Sequence, residues 1–65
     1  MNELIQRAFT VDNMIPNVST NERGDLLLIY TKGEKHLSIV VDDEDLTEPA
    51  TYFEIRQYVK YWEAE

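Results

Sequence analysis

The chain has 65 residues and no cysteine, and its thirteen acidic residues against six basic ones give a formal net charge of -7 at pH 7. A chain of this length forms one small domain, residues 1–65, and the lack of cysteine excludes disulfides and thiolate metal sites. The charge disfavours direct binding to nucleic acid or anionic membranes, and favours basic partners or simply solubility. No apolar run has the length of a signal peptide or membrane span, so we expect a cytoplasmic protein.

The N-terminal third predicts a short helix followed by a strand. Apolar residues recur at helical spacing over residues 2–9, and the stripe they form comprises Leu4, Ile5, Ala8 and Phe9. After a connection, residues 14–20 are predicted to form the first strand, with Val18 facing the core. Pro16 within this segment suits an edge or the start of a strand.

The centre of the chain predicts a β-hairpin. Two strands, residues 25–31 and 35–41, flank a turn with Gly33 at the first central position of type II′. The register that follows puts six apolar side chains on one face, in the pairs Tyr30–Leu37, Leu28–Ile39 and Leu26–Val41. A three-residue loop, 22–24, then pairs Val18 with Leu28, which completes a three-stranded antiparallel meander.

The second face of the sheet carries Leu27, Ile29 and Val40, which also need a cover. One alternative is that the N-terminal helix supplies it through its apolar stripe. The other is that the patch is exposed and forms the subunit contact of a homodimer.

The C-terminal third predicts a helix across the core face of the sheet. Its apolar stripe, at 3-4-3 spacing, comprises Tyr52, Ile55, Val59 and Trp62. Thr51 and Glu54 match a capping box, Thr47 is the alternative cap, and Pro49 suits a helix entry. The predicted fold is therefore α+β, with the order αβββα. Tyr58 and Tyr61 flank the stripe, where they either cover the edge of the core or contribute to an interface.

Five acidic residues lie between the last strand and this helix: Asp42, Asp43, Glu44, Asp45 and Glu48. Three hypotheses fit them. They form a solvated loop whose charges favour the positive end of the following helix, or a recognition surface for a basic partner, or a calcium site. The last is disfavoured because the run lacks the alternating ligands, the glycine and the distal glutamate of an EF-hand loop.

The sequence predicts no enzyme, no catalytic residue, no metal and no cofactor. It contains no phosphate-binding glycine loop, paired metal-ligand motif or nucleophile elbow. His36 and Ser38 share a strand face, but such residues lie roughly 6.6 Å apart along the strand, which is too far for a catalytic triad. His36 is predicted to be a surface residue opposite Thr31.

A tiny acidic protein with helices and strands, and without cysteine or a cofactor motif, resembles in composition the small inhibitors that phages and mobile elements encode. Several of those imitate nucleic acid with surface carboxylates. The resemblance implies a non-enzymatic binding protein that occupies a basic site on a larger, nucleic-acid-binding protein. The five acidic residues would present the charge, extended by Glu54, Glu63 and Glu65. The alternative is a structural or accessory homo-oligomer that uses the second sheet face.

Overall fold

Two helices and three antiparallel strands make up the structure, a computed structural model that describes residues 2–65. Helix α1 spans Asn2–Ala8, strand β1 Asn17–Thr20, β2 Leu26–Lys32 and β3 Lys35–Val41; a 3-10 helix, η1, spans Asp43–Thr47, and α2 spans Pro49–Ala64. The strands are ordered β1-β2-β3 in one sheet. The predicted α+β fold of order αβββα is confirmed.

The β2–β3 hairpin has the register that its turn dictates. Gly33 has a φ of 63°, the left-handed conformation that glycine adopts without a Cβ clash. Lys32 pairs with Lys35 across the two-residue loop, and Leu28 therefore pairs with Ile39. The same register pairs Tyr30 with Leu37 and Leu26 with Val41, as predicted.

The β1–β2 loop is built around Asn21. Its Oδ1 accepts hydrogen bonds from the backbone N–H groups of Arg23, at 3.0 Å, and Asp25, at 2.9 Å. Gly24 follows with a φ of 88°, so the predicted three-residue loop with a left-handed glycine is confirmed. Val18 pairs with Leu28, which makes β2 the central strand.

The hydrophobic core lies between one face of the sheet and the two helices. Leu28 and Val59 are completely buried at its centre. Tyr52 and Trp62 are half-buried and complete the predicted stripe of α2. The remaining buried members are Phe9, Val11, Leu26, Tyr30, Val41 and Ile55.

The segment between α1 and β1 differs from the prediction. β1 begins at Asn17 rather than at residue 14, because Met14 folds back onto Val11. These two residues exchange backbone hydrogen bonds of 3.1 and 2.8 Å around Asp12 and Asn13, whose φ values are 49° and 68°. Two left-handed residues in a two-residue loop define a type I′ turn, which Asp and Asn tolerate better than other residues with a side chain.

The apolar stripe predicted for α1 is only partly correct. Leu4 is 70% exposed and Ala8 is exposed as well, whereas Phe9, just beyond the helix end, is 2% exposed. The Phe9 ring stacks on Tyr52 of α2, with ring centroids 4.7 Å apart and planes 13° apart. This contact holds the end of α1 on the same side of the sheet as α2.

The second face of the sheet is consequently uncovered in the part of the chain described, residues 2–65. Leu27 and Ile29 are half-buried by their neighbours on the sheet, and Val40 is 55% exposed. Of the two predicted alternatives, cover by the N-terminal helix is therefore wrong. The structure leaves the patch open to solvent.

Tyr30 connects the central strand to the end of α1. Its side chain is 1% exposed, and its hydroxyl donates a hydrogen bond to the carbonyl oxygen of Phe9. Burial raises the pKa of the Tyr30 phenol to about 12. The neutral hydroxyl is therefore the form that the fold accommodates.

The N-caps predicted for α2, Thr51 and Thr47, are wrong. The helix begins at Pro49, and Glu48 occupies the N-cap position without a side-chain capping bond. Thr51 lies inside the helix and Thr47 is the last residue of η1, so neither residue caps α2. Proline has no N–H to satisfy and a φ already suited to the first helical position, which allows the helix to start at Pro49, between the two predicted threonine caps. Within residues 2–65, no helix has the length and apolar character that crossing a membrane requires.

Candidate interaction surface

The acidic run folds as a 3-10 helix rather than as an irregular loop. The N–H of Asp45 donates to the carbonyl of Asp42, at 2.9 Å, and the N–H of Glu48 to that of Asp45, at 3.0 Å. Leu46 packs against the core, and its carbonyl accepts a hydrogen bond of 2.6 Å from the Tyr52 hydroxyl. One partly buried apolar side chain therefore fixes η1 to the core, and one partly buried hydrogen bond fixes it to α2.

All five predicted site residues are exposed on this anchored segment: Asp42, Asp43, Glu44, Asp45 and Glu48. The first turn of α2 contains no acidic residue, and only Glu48 adjoins that helix directly. The field of a helix terminus falls off within a turn, so stabilisation of α2 accounts for Glu48 but not for the whole run.

Two further acidic residues join this surface from the β1–β2 loop. Leu26 pairs with Val41, so the residues just beyond the pair, Asp25 and Asp42, emerge at the same end of the sheet. Glu22 lies in the same loop, three residues before Asp25. We call this surface the acidic end; it comprises Glu22, Asp25, Asp42, Asp43, Glu44, Asp45 and Glu48.

The acidic end holds seven of the thirteen acidic residues and one basic residue, Arg23. The fold therefore concentrates six of the seven net negative charges at one end of the sheet. Glu22 and Asp25 were not predicted as site residues. The register of the hairpin was the signal that could have found them, because it already placed Asp25 opposite Asp42.

The three glutamates predicted to extend the charge separate in the structure. Glu63 lies near the opposite end of the sheet, with its carboxylate 3.8 Å from the ammonium group of Lys32. Glu54 lies on the flank of α2 that also carries Tyr58 and Tyr61, given their spacing of three and four residues, and Glu65 follows the helix end. Tyr58 and Tyr61 are 60% and 77% exposed.

The residues with the chemistry of a metal site or triad do not converge. His36 is exposed and pairs with Thr31, as predicted, while Ser38 pairs with Ile29. Among residues 2–65, no group of three or more His, Asp or Glu side chains is placed to hold a metal ion.

A groove of about 370 Å³ lies between α2 and the end of α1. Phe9 and Val11 line one side and Phe53, Arg56 and Lys60 the other. Arg56 and Lys60 are its charged groups, and its lining contains no carboxylate, histidine or hydroxyl nucleophile apart from the Tyr52 phenol. Its position shows that this flank of α2 faces α1, and that the flank of Tyr58 and Tyr61 faces away from it.

Comparison with protein-family models, with curated proteins and with solved structures finds no match for this chain. The functional assignment therefore depends on the surface itself: an almost uniformly acidic end, part of which is anchored to the core through Leu46.

Proposed function

We propose that this chain is a small non-enzymatic binding protein that occupies a basic, nucleic-acid-handling site on a larger protein. The observation that supports the proposal is the acidic end, which combines seven exposed or half-exposed carboxylates with a single basic residue, Arg23. Carboxylates pair with Arg and Lys through the same charge-assisted hydrogen bonds that phosphates make. Under this proposal the protein acts in the cytoplasm and is encoded by a phage or a mobile element.

The anchoring of η1 favours recognition over solubility alone. Solubility needs net charge but no particular geometry. Here the 3-10 backbone bonds, the partly buried Leu46 side chain and the Tyr52 hydrogen bond hold the backbone that carries the acidic residues in one conformation. A surface that is already ordered loses less conformational entropy when it binds.

The test is a variant in which four carboxylates are neutralised together: Asp42→Asn, Asp43→Asn, Glu44→Gln and Asp45→Asn. A partner is first identified by affinity capture, and the chain then competes with duplex DNA or RNA for the purified partner. The parent should displace the nucleic acid, and its affinity should fall as salt rises, because charge pairs are screened over about 8–10 Å at ordinary ionic strength. The variant should lose displacement while its melting temperature stays close to that of the parent.

A matched control removes four carboxylates elsewhere: Glu3→Gln, Asp12→Asn, Glu34→Gln and Glu63→Gln. Both variants have the same formal charge, so a difference between them reports position rather than total charge. The control should still displace the nucleic acid. Full competition by a stably folded variant of the acidic end would contradict the proposal. The hypothesis that the charges stabilise the helix would then remain. It predicts that removing a helix-end charge lowers the free energy of unfolding by about 0.3–1 kcal/mol and leaves binding unchanged.

The open sheet face supports a second candidate, a homo-oligomer whose subunits meet through Leu27, Ile29 and Val40. Both helices lie on the other side of the sheet, and these three side chains are uncovered in the described chain. If they form a subunit contact, Ile29→Lys should convert a dimer into a folded monomer, because a charge would be buried without a partner. Sedimentation velocity measures the change, with Ser19→Lys as a control at the edge of the same face. An unchanged dimer would remove this face as the contact.

A further inference from the structure

Strand β3 leaves one of its edges open. Among residues 2–65 it pairs with β2 alone, and β1 lies on the far side of β2. In a two-residue hairpin the residues that close the loop exchange both backbone hydrogen bonds, so alternate residues from Lys35 onward point toward β2. The N–H and C=O groups of His36, Ser38 and Val40 therefore point outward.

The same alternation along β2 turns Leu26 toward β3 and its neighbour Asp25 toward β1, where Asp25 should bond to Asn21. The structure has this bond, from the N–H of Asn21 to the carbonyl of Asp25 at 3.1 Å. β3 has seven regular residues without a proline, and its three outward-facing residues make no turn or loop bond in the described chain. Natural edge strands are usually blunted by prolines, bulges or covering segments, because an open edge pairs with other chains.

Beside this edge lies what we call the tyrosine flank of α2, formed by Tyr58 at the side of the buried stripe and by Glu54 and Tyr61 further toward solvent. The groove between the other flank and the end of α1 shows that the tyrosine flank faces away from α1. Contacts between α1 and β1 place α1 on the β1 side of the sheet, so the tyrosine flank lies on the β3 side.

The two features run alongside each other. Lys35, at the start of β3, donates a hydrogen bond of 2.9 Å to the carbonyl of Trp62, near the end of α2. Tyr61 therefore lies toward the start of β3, and Glu54 lies toward its end. The flank from Glu54 to Tyr61 is about 10 Å long, and the edge from His36 to Val40 about 13 Å. The strip between them, which we call the shelf, is long enough for one extended segment of about four residues.

We propose that this shelf takes an extended, arginine-containing segment of the basic partner as a fourth strand of the sheet. The segment would hydrogen-bond to His36, Ser38 and Val40 through its backbone, which is the usual mode of strand addition. Every second side chain would point toward α2, where guanidinium groups stack on Tyr58 and Tyr61 and pair with Glu54. This inference rests on the proposed function for the sign of the partner's charge.

Charge favours a basic segment over a second copy of this chain. Two copies would each bring a formal charge of -7, and such charges repel. The tyrosine flank carries a carboxylate and no basic residue, whereas Arg56 and Lys60 lie toward the opposite flank. The protein already contains one contact of the proposed kind, since the ammonium group of Lys35 lies 5.4 Å from the Trp62 ring centroid.

The experiment uses a defined probe, a nine-residue peptide of alternating threonine and arginine with blocked termini. Binding is measured by fluorescence anisotropy, and amide hydrogen exchange is followed by NMR. The peptide should bind the parent and slow exchange at His36, Ser38 and Val40, and a threonine–glutamate peptide should do neither. Ser38→Pro should weaken binding at least about tenfold, because it removes the central outward N–H and its ring obstructs an added strand. Tyr58→Ala with Tyr61→Ala should weaken binding comparably.

Two controls keep the charge and the type of substitution constant. Thr20→Pro alters an outward-facing residue on β1, the other edge, and Phe53→Ala removes an aromatic side chain that is 65% exposed on the opposite flank. Both should bind within about twofold of the parent. Equal binding by the parent and Ser38→Pro would overturn the proposal, since the peptide would then be held by negative charge alone. The proposal would also be overturned if the parent is a dimer that Ser38→Pro dissociates and the peptide does not slow amide exchange at the edge. The edge would then be assigned to a second copy of the chain.

The outcomes separate this inference from the proposed function. Ser38→Pro leaves all seven carboxylates of the acidic end unchanged. If the parent displaces nucleic acid from its partner but the peptide does not protect the edge, the shelf is wrong and the acidic end stands. If the peptide protects the edge but the chain displaces no nucleic acid, the shelf stands and the proposed target class is wrong.

Discussion

Leu28→Ala should lower the free energy of unfolding by about 2–5 kcal/mol, which approaches the whole stability of a domain of this size without disulfide bonds. Leu28 is completely buried in the central strand, between Val18 on one side and Ile39 on the other. The change removes apolar contacts and leaves a cavity that the paired strands cannot close. Urea denaturation followed by circular dichroism should show the midpoint falling sharply or the transition disappearing.

Leu4→Ala is the matched control, because the same side chain is removed from a site that is 70% exposed. An exposed leucine on a short helix contributes within about 0.5 kcal/mol, so its denaturation curve should stay close to that of the parent. Similar losses in the two variants would mean that the core does not centre on β2. A parent-like Leu28→Ala curve would exclude this residue from the core.

The second large effect concerns alkaline pH and Tyr30. In the unfolded chain its phenol loses a proton near its ordinary pKa of 10, whereas burial raises the pKa in the fold to about 12. Between these values the unfolded state binds fewer protons, so stability falls as pH rises. The contribution of the protonated Tyr30 phenol to the free energy of unfolding is fully present below about pH 10. It falls by up to about 1.4 kcal/mol per pH unit above that value and is lost by about pH 12, which amounts to a total on the order of 2–3 kcal/mol.

Tyr30→Phe separates this effect from other titrations. Near pH 8 the variant should be less stable by about 1 kcal/mol, because the Phe9 carbonyl loses its hydrogen bond. By about pH 11 the difference should shrink to near zero, since the variant has no phenol to ionise at this position. Unfolding free energies measured from about pH 8 to pH 11 test this. Tyr61→Phe, at a residue 77% exposed, should show no such convergence. A constant gap between Tyr30→Phe and the parent would contradict the raised pKa.

The sequence was sufficient to predict the sheet, because two independent constraints agree there. Gly33 and Gly24 specify the turns, and alternate apolar residues specify which face is buried. Either constraint alone leaves the register open, but together they determine every pair from Leu26 to Lys32. The stripe of α2 was predictable from its periodicity alone, since four apolar residues repeat at the helical period.

The N-terminal segment was harder, because its structure depends on contacts between distant residues. Leu4 and Phe9 look equivalent on a helical stripe, yet only Phe9 reaches Tyr52 and the core. The turn at Asp12 and Asn13 was recognisable only after both residues were known to be left-handed. In the candidate site, the five carboxylates between residues 42 and 48 were predictable because they lie close together in the sequence, whereas Glu22 and Asp25 join them only through the pairing of β2 with β3.

The placement of the acidic end gives the molecule an electric dipole as well as a net charge. At the opposite end of the sheet Lys32 and Lys35 balance Glu34 and Glu63, so the negative pole lies at η1 and the β1–β2 loop. In the field of a basic partner such a dipole rotates the molecule before the surfaces touch. Steering of this kind raises encounter rates by roughly 10–10³-fold and fades as ionic strength rises. Under the proposed function the acidic end would therefore arrive first, whereas a chain of the same composition with evenly scattered carboxylates would arrive in every orientation.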